Sequence, residues 1–320
     1  MAQGALAAAI LEAGPSRALF HGMMARLVLE VPPVVAVLAS LGLASFFVAS
    51  LYLWRLAGYQ DADRNEPSTI QRRFLSTLLS CACSTGLVYG LARPSKDGMT
   101  LLELLGLEAA EPLRACACCL GLTAALFLGP LLQHLAAVCE FHTPLISSPQ
   151  CSWVLMRDLA MAPFTEEFVF RACIVRLLVG ASLPGAAVAL GSPLCFALAH
   201  AHHFREHVRK LENKQAALMQ VAFQIFYTSL FGMYSTYLLL RTGSTVAVVL
   251  AHSFCNHQGF PDLGFLVFAN HELHRHRIWL AVAYVAGMLL FCCLLVPLTA
   301  DFPTHFAPSS QCPSAQRQCK

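Results

Sequence analysis

Residues 165–171 read Thr-Glu-Glu-Phe-Val-Phe-Arg, two adjacent carboxylates with an arginine four places after the second. On a helix, 100° per residue puts Glu167 and Arg171 on one face and turns Glu166 away from it. Such a pair lowers the cost of burying both charges and leaves Glu166 for chemistry. Two further patterns lie downstream, Phe196-Ala-Leu-Ala-His200 and His252-Ser-Phe-Cys-Asn256, and His252 and Asn256 again share a helical face. A carboxylate and a histidine, here Glu166 and His200, can deprotonate a water between them. A second histidine and a carboxamide, here His252 and Asn256, can hold the oxyanion that forms when that water attacks a carbonyl. The chemistry is amide hydrolysis without a covalent intermediate. The same Glu166, His200 and His252 could instead ligate zinc, because two histidines and a glutamate form a known catalytic set.

Each pattern also has a structural reading. Glu167 and Arg171 are a buried clamp that supports Glu166, and histidine or asparagine in a membrane helix commonly bonds to a neighbouring helix. His202 and His203 fall where a helix leaves the apolar run, at an interface. The cluster His271, Glu272, His274, Arg275, His276 misses the His-Glu-x-x-His zinc pattern, since position 275 is arginine, and reads as a solvated loop. Cys116 and Cys119 have the spacing of half a metal or redox motif with no second pair at a suitable distance. Cys173 lies two turns deeper than Glu166, too far to act as the nucleophile.

These side chains must be positioned inside a bilayer. Of 320 residues, 57% are apolar and 12% charged, whereas soluble domains carry about 25% charge. The composition excludes a disordered chain, and a net charge of +3 with scattered basic residues gives no nucleic-acid footprint. Most of the fourteen cysteines lie in apolar runs, where thiols behave as small hydrophobes.

A spanning helix needs about 20 mostly apolar residues. Eight candidates follow one another: 34–53, 74–91, 116–138, 162–178, 184–202, 216–240, 245–259 and 278–298. Trp153 to Leu159 reads as a separate amphipathic piece on the membrane surface. The expected fold is all-α, a polytopic membrane protein whose eight helices enclose a polar cavity open to the cytosolic side. The expected organisation is an N-terminal tail over 1–33, three helices and their loops over 34–150, a catalytic membrane core over 151–261, a loop and last helix over 262–300, and a C-terminal tail over 301–320.

With eight crossings both termini share a face. The opposite loops hold Arg55, Arg64, Arg72, Arg73, Arg157, Arg205, Arg209, Lys210, Lys214, Arg275 and Arg277, eleven in all. The loops on the terminal face hold five, Arg93, Lys96, Arg114, Arg176 and Arg241, and the tails add Arg17, Arg26, Arg317 and Lys320. The positive-inside rule makes the first face cytosolic. Glu166, Glu167, His200, His252 and Asn256 all fall at similar depth near that face, on three helices that could surround one cavity.

Glu166-Glu167-x-x-x-Arg171, Phe196-x-x-x-His200 and His252-x-x-x-Asn256, in this order, resemble the three motifs of the type II CAAX prenyl endopeptidases, the Ras-converting branch of the glutamate intramembrane proteases. Ala162-Pro163-Phe164-Thr165 and Gly259-Phe260-Pro261 resemble the animal enzymes in particular. The resemblance runs from about Met156 to Pro261 and more weakly through the last span. It implies that Glu166 and His200 activate the water, that His252 and Asn256 form the oxyanion hole, and that Glu167, Arg171 and Phe196 support them. It implies no cofactor and no metal. It further implies prenylated CaaX substrates such as Ras-like and Rho-like small GTPases, and residence in the endoplasmic reticulum membrane with the active site facing the cytosol. A membrane carrier or scaffold that binds prenylated tails without cleaving them is the reading from a different class.

Overall fold

The computed structural model describes residues 25–59, 63–141, 152–199 and 214–303. Within them the chain is almost entirely helical. The principal helices are α1 (Pro33–Ser50), α2 (Pro67–Leu91), α3 (Pro112–Leu126), α4 (Leu128–Phe141), α5 (residues 152–180), α6 (Gly185–Ala199), α7 (Lys214–Thr242), α8 (Thr245–Gln258) and α9 (Arg277–Thr299). Proline opens α1, α2 and α3, where its fixed φ suits the first turn and its missing N–H is no loss. A two-stranded antiparallel ribbon, β1 (Leu27–Val28) with β2 (Arg93–Pro94), departs from the all-α expectation. It ties the segment before α1 to the end of α2, and Val31 donates to the Gly180 carbonyl at the end of α5.

α5 is the central element. It is one continuous helix with two π-helical stretches, Arg157–Met161 and Phe168–Val175, and every residue of the second stretch is buried. Helices α1, α2, α6, α7 and α8 pack around it, while α9 lies against α3 and α4. The amphipathic piece expected on the surface is the first part of α5. Trp153 packs against Phe74 of α2, and Arg157 reaches the Arg64 carbonyl and the Asn65 side chain, while Leu155 and Met156 stay exposed.

All eight apolar segments contain helix, but only some have spanning length. Among the described residues four helices are long and apolar enough to cross a membrane: α1, α2, α7, and α9 with the turn before it. A fifth crossing results if α3 and α4, bent by 70°, count as one span. The bend falls where Pro130 would clash with the carbonyl four residues earlier, that of Leu126. Tyr284 of α9 sits so close to Gly129 that a Cβ there would run into its ring. α8, with 14 residues, is about 21 Å long, short of the roughly 30 Å hydrocarbon core. α5 carries Arg157, Asp158, Glu166, Glu167, Arg171 and Arg176 and is lined by protein. In contrast, α1 and α9 leave Val34, Leu38, Ile278, Trp279, Leu289 and Val296 exposed. Apolar side chains unburied on this scale belong in lipid, and the chain is a multi-pass membrane protein.

The histidine-rich loop before α9 is a structural tie. His276 contacts Glu140 at 2.8 Å, Arg275 forms an ion pair with the same carboxylate, and His271 meets Asp262 at 3.2 Å. The Gly264 backbone N–H, followed by His271, holds the Asp262 carboxyl below the usual carboxylate range. The loop thereby joins the end of α4 to the start of α9.

Candidate active site

The site is built on α5, α6 and α8. α8 is held at its start by Ser244, whose hydroxyl accepts from the Ala247 N–H, and by Thr245, whose N–H and hydroxyl donate to the Gly106 and Leu105 carbonyls. It stops at Gly259, where φ is +70°. These anchors point His252 at the middle of α5.

The adjacent carboxylates of α5 separate as the helical geometry requires. The Glu167 side chain is fully buried, whereas that of Glu166 is 21% exposed and lines a cleft. Glu167 Oε2 lies 3.2 Å from Arg171 Nε, and Glu167 Oε1 lies 2.7 Å from His252 Nδ1. An ionised carboxylate only accepts, so Nδ1–H is the donor in the second contact. The other ring nitrogen, Nε2, then faces Glu166, 3.9 Å from Oε2. That gap is too long for a direct hydrogen bond and has the length at which a bridging water is expected.

Arg171 is held by aromatic faces as much as by its counter-ion. Its guanidinium carbon lies 4.3 Å from the Phe196 ring centre and 5.9 Å from that of Phe231, both at cation–π distance. Its terminal nitrogens have no hydrogen-bond acceptor among the described residues. Phe231 also packs at a tilt against His252, ring centres 4.6 Å apart, and Phe196 packs edge-on to Phe170 at 5.1 Å. Gly232 lets α7 approach, since a Cβ there would lie 3.2 Å from Arg171 Nη2. Removing either member of the pair strands a buried charge, which typically costs about 3 to 5 kcal/mol. Glu167→Ala and Arg171→Ala are therefore expected to lower melting temperature and turnover together. Normal thermal stability with lost turnover in either variant contradicts this supporting role.

Asn256 follows His252 by one turn, at the exposed end of α8, and its Nδ2 donates to the Asp158 carbonyl at 2.9 Å. That carbonyl belongs to the first π-helical stretch of α5; widened turns of this kind are frequent at functional sites. A primary amide has two N–H groups, so one remains for another acceptor. His200, His202 and His203 lie outside the described residues. Cys173 is fully buried in the second π-helical stretch, and Cys116, Cys119 and Cys173 are free thiols. Among the described residues no three histidine, cysteine, aspartate or glutamate side chains are grouped to hold a metal ion.

The structure brings together Glu166, Glu167, Arg171, Phe196 and His252. Two participants have no motif to announce them. Phe231 sits in an ordinary apolar run, and the Asp158 carbonyl is a backbone group whose availability depends on a π turn.

The model of the type II CAAX prenyl endopeptidase Rce1-like family matches residues 148–257, which include all three motifs. CAAX prenyl protease 2 of Homo sapiens is 37% identical over 278 residues, covering 83% of this chain and 81% of that protein. The Caenorhabditis elegans protein of the same name is 31% identical over 257 residues, 78% of this chain and 92% of its own length. The probable CAAX prenyl protease 2 of Schizosaccharomyces pombe is 31% identical over 233 residues, 71% of this chain and 81% of its own. No solved structure matches. Motifs, buried ion pair and relatives agree that the chain belongs to the type II CAAX prenyl endopeptidase Rce1-like family.

Proposed function

We propose that this CAAX prenyl endopeptidase removes the last three residues of proteins whose CaaX cysteine carries a farnesyl or geranylgeranyl group, using a water activated by Glu166 and His200. The observation that carries the reading is the geometry at Glu166: a partly exposed carboxylate at a cleft, 3.9 Å from a histidine whose other nitrogen is fixed by the buried Glu167. Glu166 takes the proton of the water as its oxygen attacks the scissile carbonyl carbon. The resulting oxyanion accepts hydrogen bonds from His252 Nε2–H and from the free N–H of Asn256. For Nε2 to donate while Nδ1 donates to Glu167 the ring carries both protons, and Glu166 and Glu167 together balance that charge and the charge of Arg171. Collapse breaks the C–N bond, and the proton held by Glu166 passes to the leaving amine. Arg171 and Phe196 position Glu167 and so act through it.

A cavity open to the cytosol puts this site where a lipid-anchored peptide can reach it. The support is the basic face: Arg64, Arg73 and Arg157 line the same cleft as Glu166, and cationic loops stay cytosolic. A substrate that is half peptide and half isoprenoid needs a polar site bordered by lipid. Ras-like and Rho-like small GTPases at the endoplasmic reticulum are the proposed substrates.

Release of the terminal tripeptide from a farnesylated CaaX peptide in vesicles, followed by mass spectrometry, tests the reading. Release that persists under a strong chelator is expected. Loss restored by added zinc favours a metal set of Glu166, His200 and His252, and binding of the peptide without any cleavage favours a carrier.

A further inference from the structure

The first π-helical stretch of α5, Arg157–Met161, is followed directly by Ala162 and the buried Pro163. In an α-helix a carbonyl is answered by the N–H four residues on, and in a π turn by the N–H five residues on. For the Asp158 carbonyl those donors belong to residues 162 and 163. The Ala162 N–H goes one carbonyl further back, to Arg157. Residue 163 is proline and has no N–H to give. The Asp158 carbonyl thus lacks both of its helical donors. A backbone carbonyl in this position pairs with a side chain or with water. Here it pairs with Asn256 of α8, 98 residues away in sequence, whose Nδ2 donates to it at 2.9 Å.

We infer that Pro163 is a positioning residue for Asn256: by lacking an N–H it keeps the Asp158 carbonyl open as the mount that orients the carboxamide. The inference rests on the proposed role of Asn256 in holding the oxyanion. A carboxamide free to turn about its side-chain bonds presents its N–H groups in several directions. Its two N–H bonds share one plane, so fixing one of them on a helix carbonyl sets the direction of the other. Glu166 lies three residues beyond Pro163 on the same helix. One segment of α5 therefore carries the base and, through its open carbonyl, holds the oxyanion donor. An N–H at position 163 would compete with Asn256 for that carbonyl. Proline is also the residue least suited to a helix interior, so its removal should strengthen α5 while loosening Asn256. Stability and turnover pull in opposite directions at this position.

The test measures tripeptide release and melting temperature for wild type, Pro163→Ala, Asn256→Ala and the double variant. A fifth chain carries lactic acid at position 163, which has the alanine side chain and an ester oxygen in place of the N–H. Pro163→Ala is expected to lower kcat by about 5- to 10-fold, the scale of one hydrogen bond, with KM unchanged and melting temperature at or above that of wild type. The lactic acid chain is expected to keep the wild-type kcat, since it has no N–H to compete. In the Asn256→Ala background Pro163→Ala is expected to lower turnover no further, as for two residues that act through one contact. Wild-type kcat in Pro163→Ala, equal losses in the alanine and lactic acid chains, a melting temperature that falls with kcat, or losses that multiply in the double variant each overturn the inference. Full turnover by Asn256→Ala alone strikes the oxyanion reading instead. The mount is then read from melting temperature: it stands if Asn256→Ala lowers that temperature only where residue 163 is proline, and it falls if the lowering is the same in both backgrounds.

Discussion

Glu166→Gln is expected to lower tripeptide release by roughly 100- to 10,000-fold, the range supplied by a positioned general base. An amide of the same size cannot take the water's proton. The substitution separates chemistry from folding because of where the side chain sits. Glu166 borders the cleft, 3.9 Å from His252, and among the described residues makes no hydrogen bond that the α5–α8 packing relies on. Melting temperature in detergent should therefore stay within a degree or two of wild type, unlike Glu167→Ala, in which Arg171 and His252 both lose their partner. Single-turnover rates measured beside thermal unfolding decide the matter. Substantial cleavage by a folded Glu166→Gln protein removes this carboxylate from the mechanism.

The second large effect is at Asn256. If its free N–H meets the oxyanion, Asn256→Ala should reduce turnover by about 100- to 1000-fold, as loss of other oxyanion donors does, with little change in KM. The side chain also donates to the Asp158 carbonyl, and losing one such bond at an exposed site costs about 1 kcal/mol. A small drop in melting temperature is thus expected with the large kinetic one. Asn256→Asp keeps the size but turns an acceptor, and a negative charge, toward both the carbonyl and the forming oxyanion. It should be at least as damaging as alanine. A lowered melting temperature with turnover retained in both variants would falsify the oxyanion role and leave Asn256 as a link between α8 and α5.

Much of this site was legible from spacing alone. The i, i+4 relation of Glu167 and Arg171 and the outward turn of Glu166 follow from helical periodicity, and both hold although the pair borders a π-helical stretch. Spacing could not reveal that His252 bonds to Glu167 as well as facing Glu166, because the contact spans 85 residues and depends on the seating of α8. The cationic residues near Glu166 were foreseen only as a loop bias, not as a cleft wall. Crossing number was the least legible property. Hydropathy registers an apolar run whether lipid or protein surrounds it, so α5, α6 and α8 read as spans of the same kind as α1 and α9. Likewise the amphipathic pattern of Trp153 to Leu159 could not name the partners of its inner side, which the Trp153–Phe74 and Arg157–Arg64 contacts supply.

The buried triad of Arg171, Glu167 and His252 also bears on how the chain is made. His252 is synthesised 85 residues after Glu167, an interval of about 4 to 17 s at ordinary ribosomal speed. During that interval α5 holds a glutamate and an arginine with no third partner, each disfavoured in the apolar phase by roughly 2.5 to 3.5 kcal/mol. Their placement one turn apart on a single helix makes the salt bridge available as soon as that turn forms, without waiting for any other segment. A glutamate whose counter-ion lay on α8 would have no such shelter. The intrahelical pair is thus the feature that lets the nascent central helix wait for the rest of the bundle.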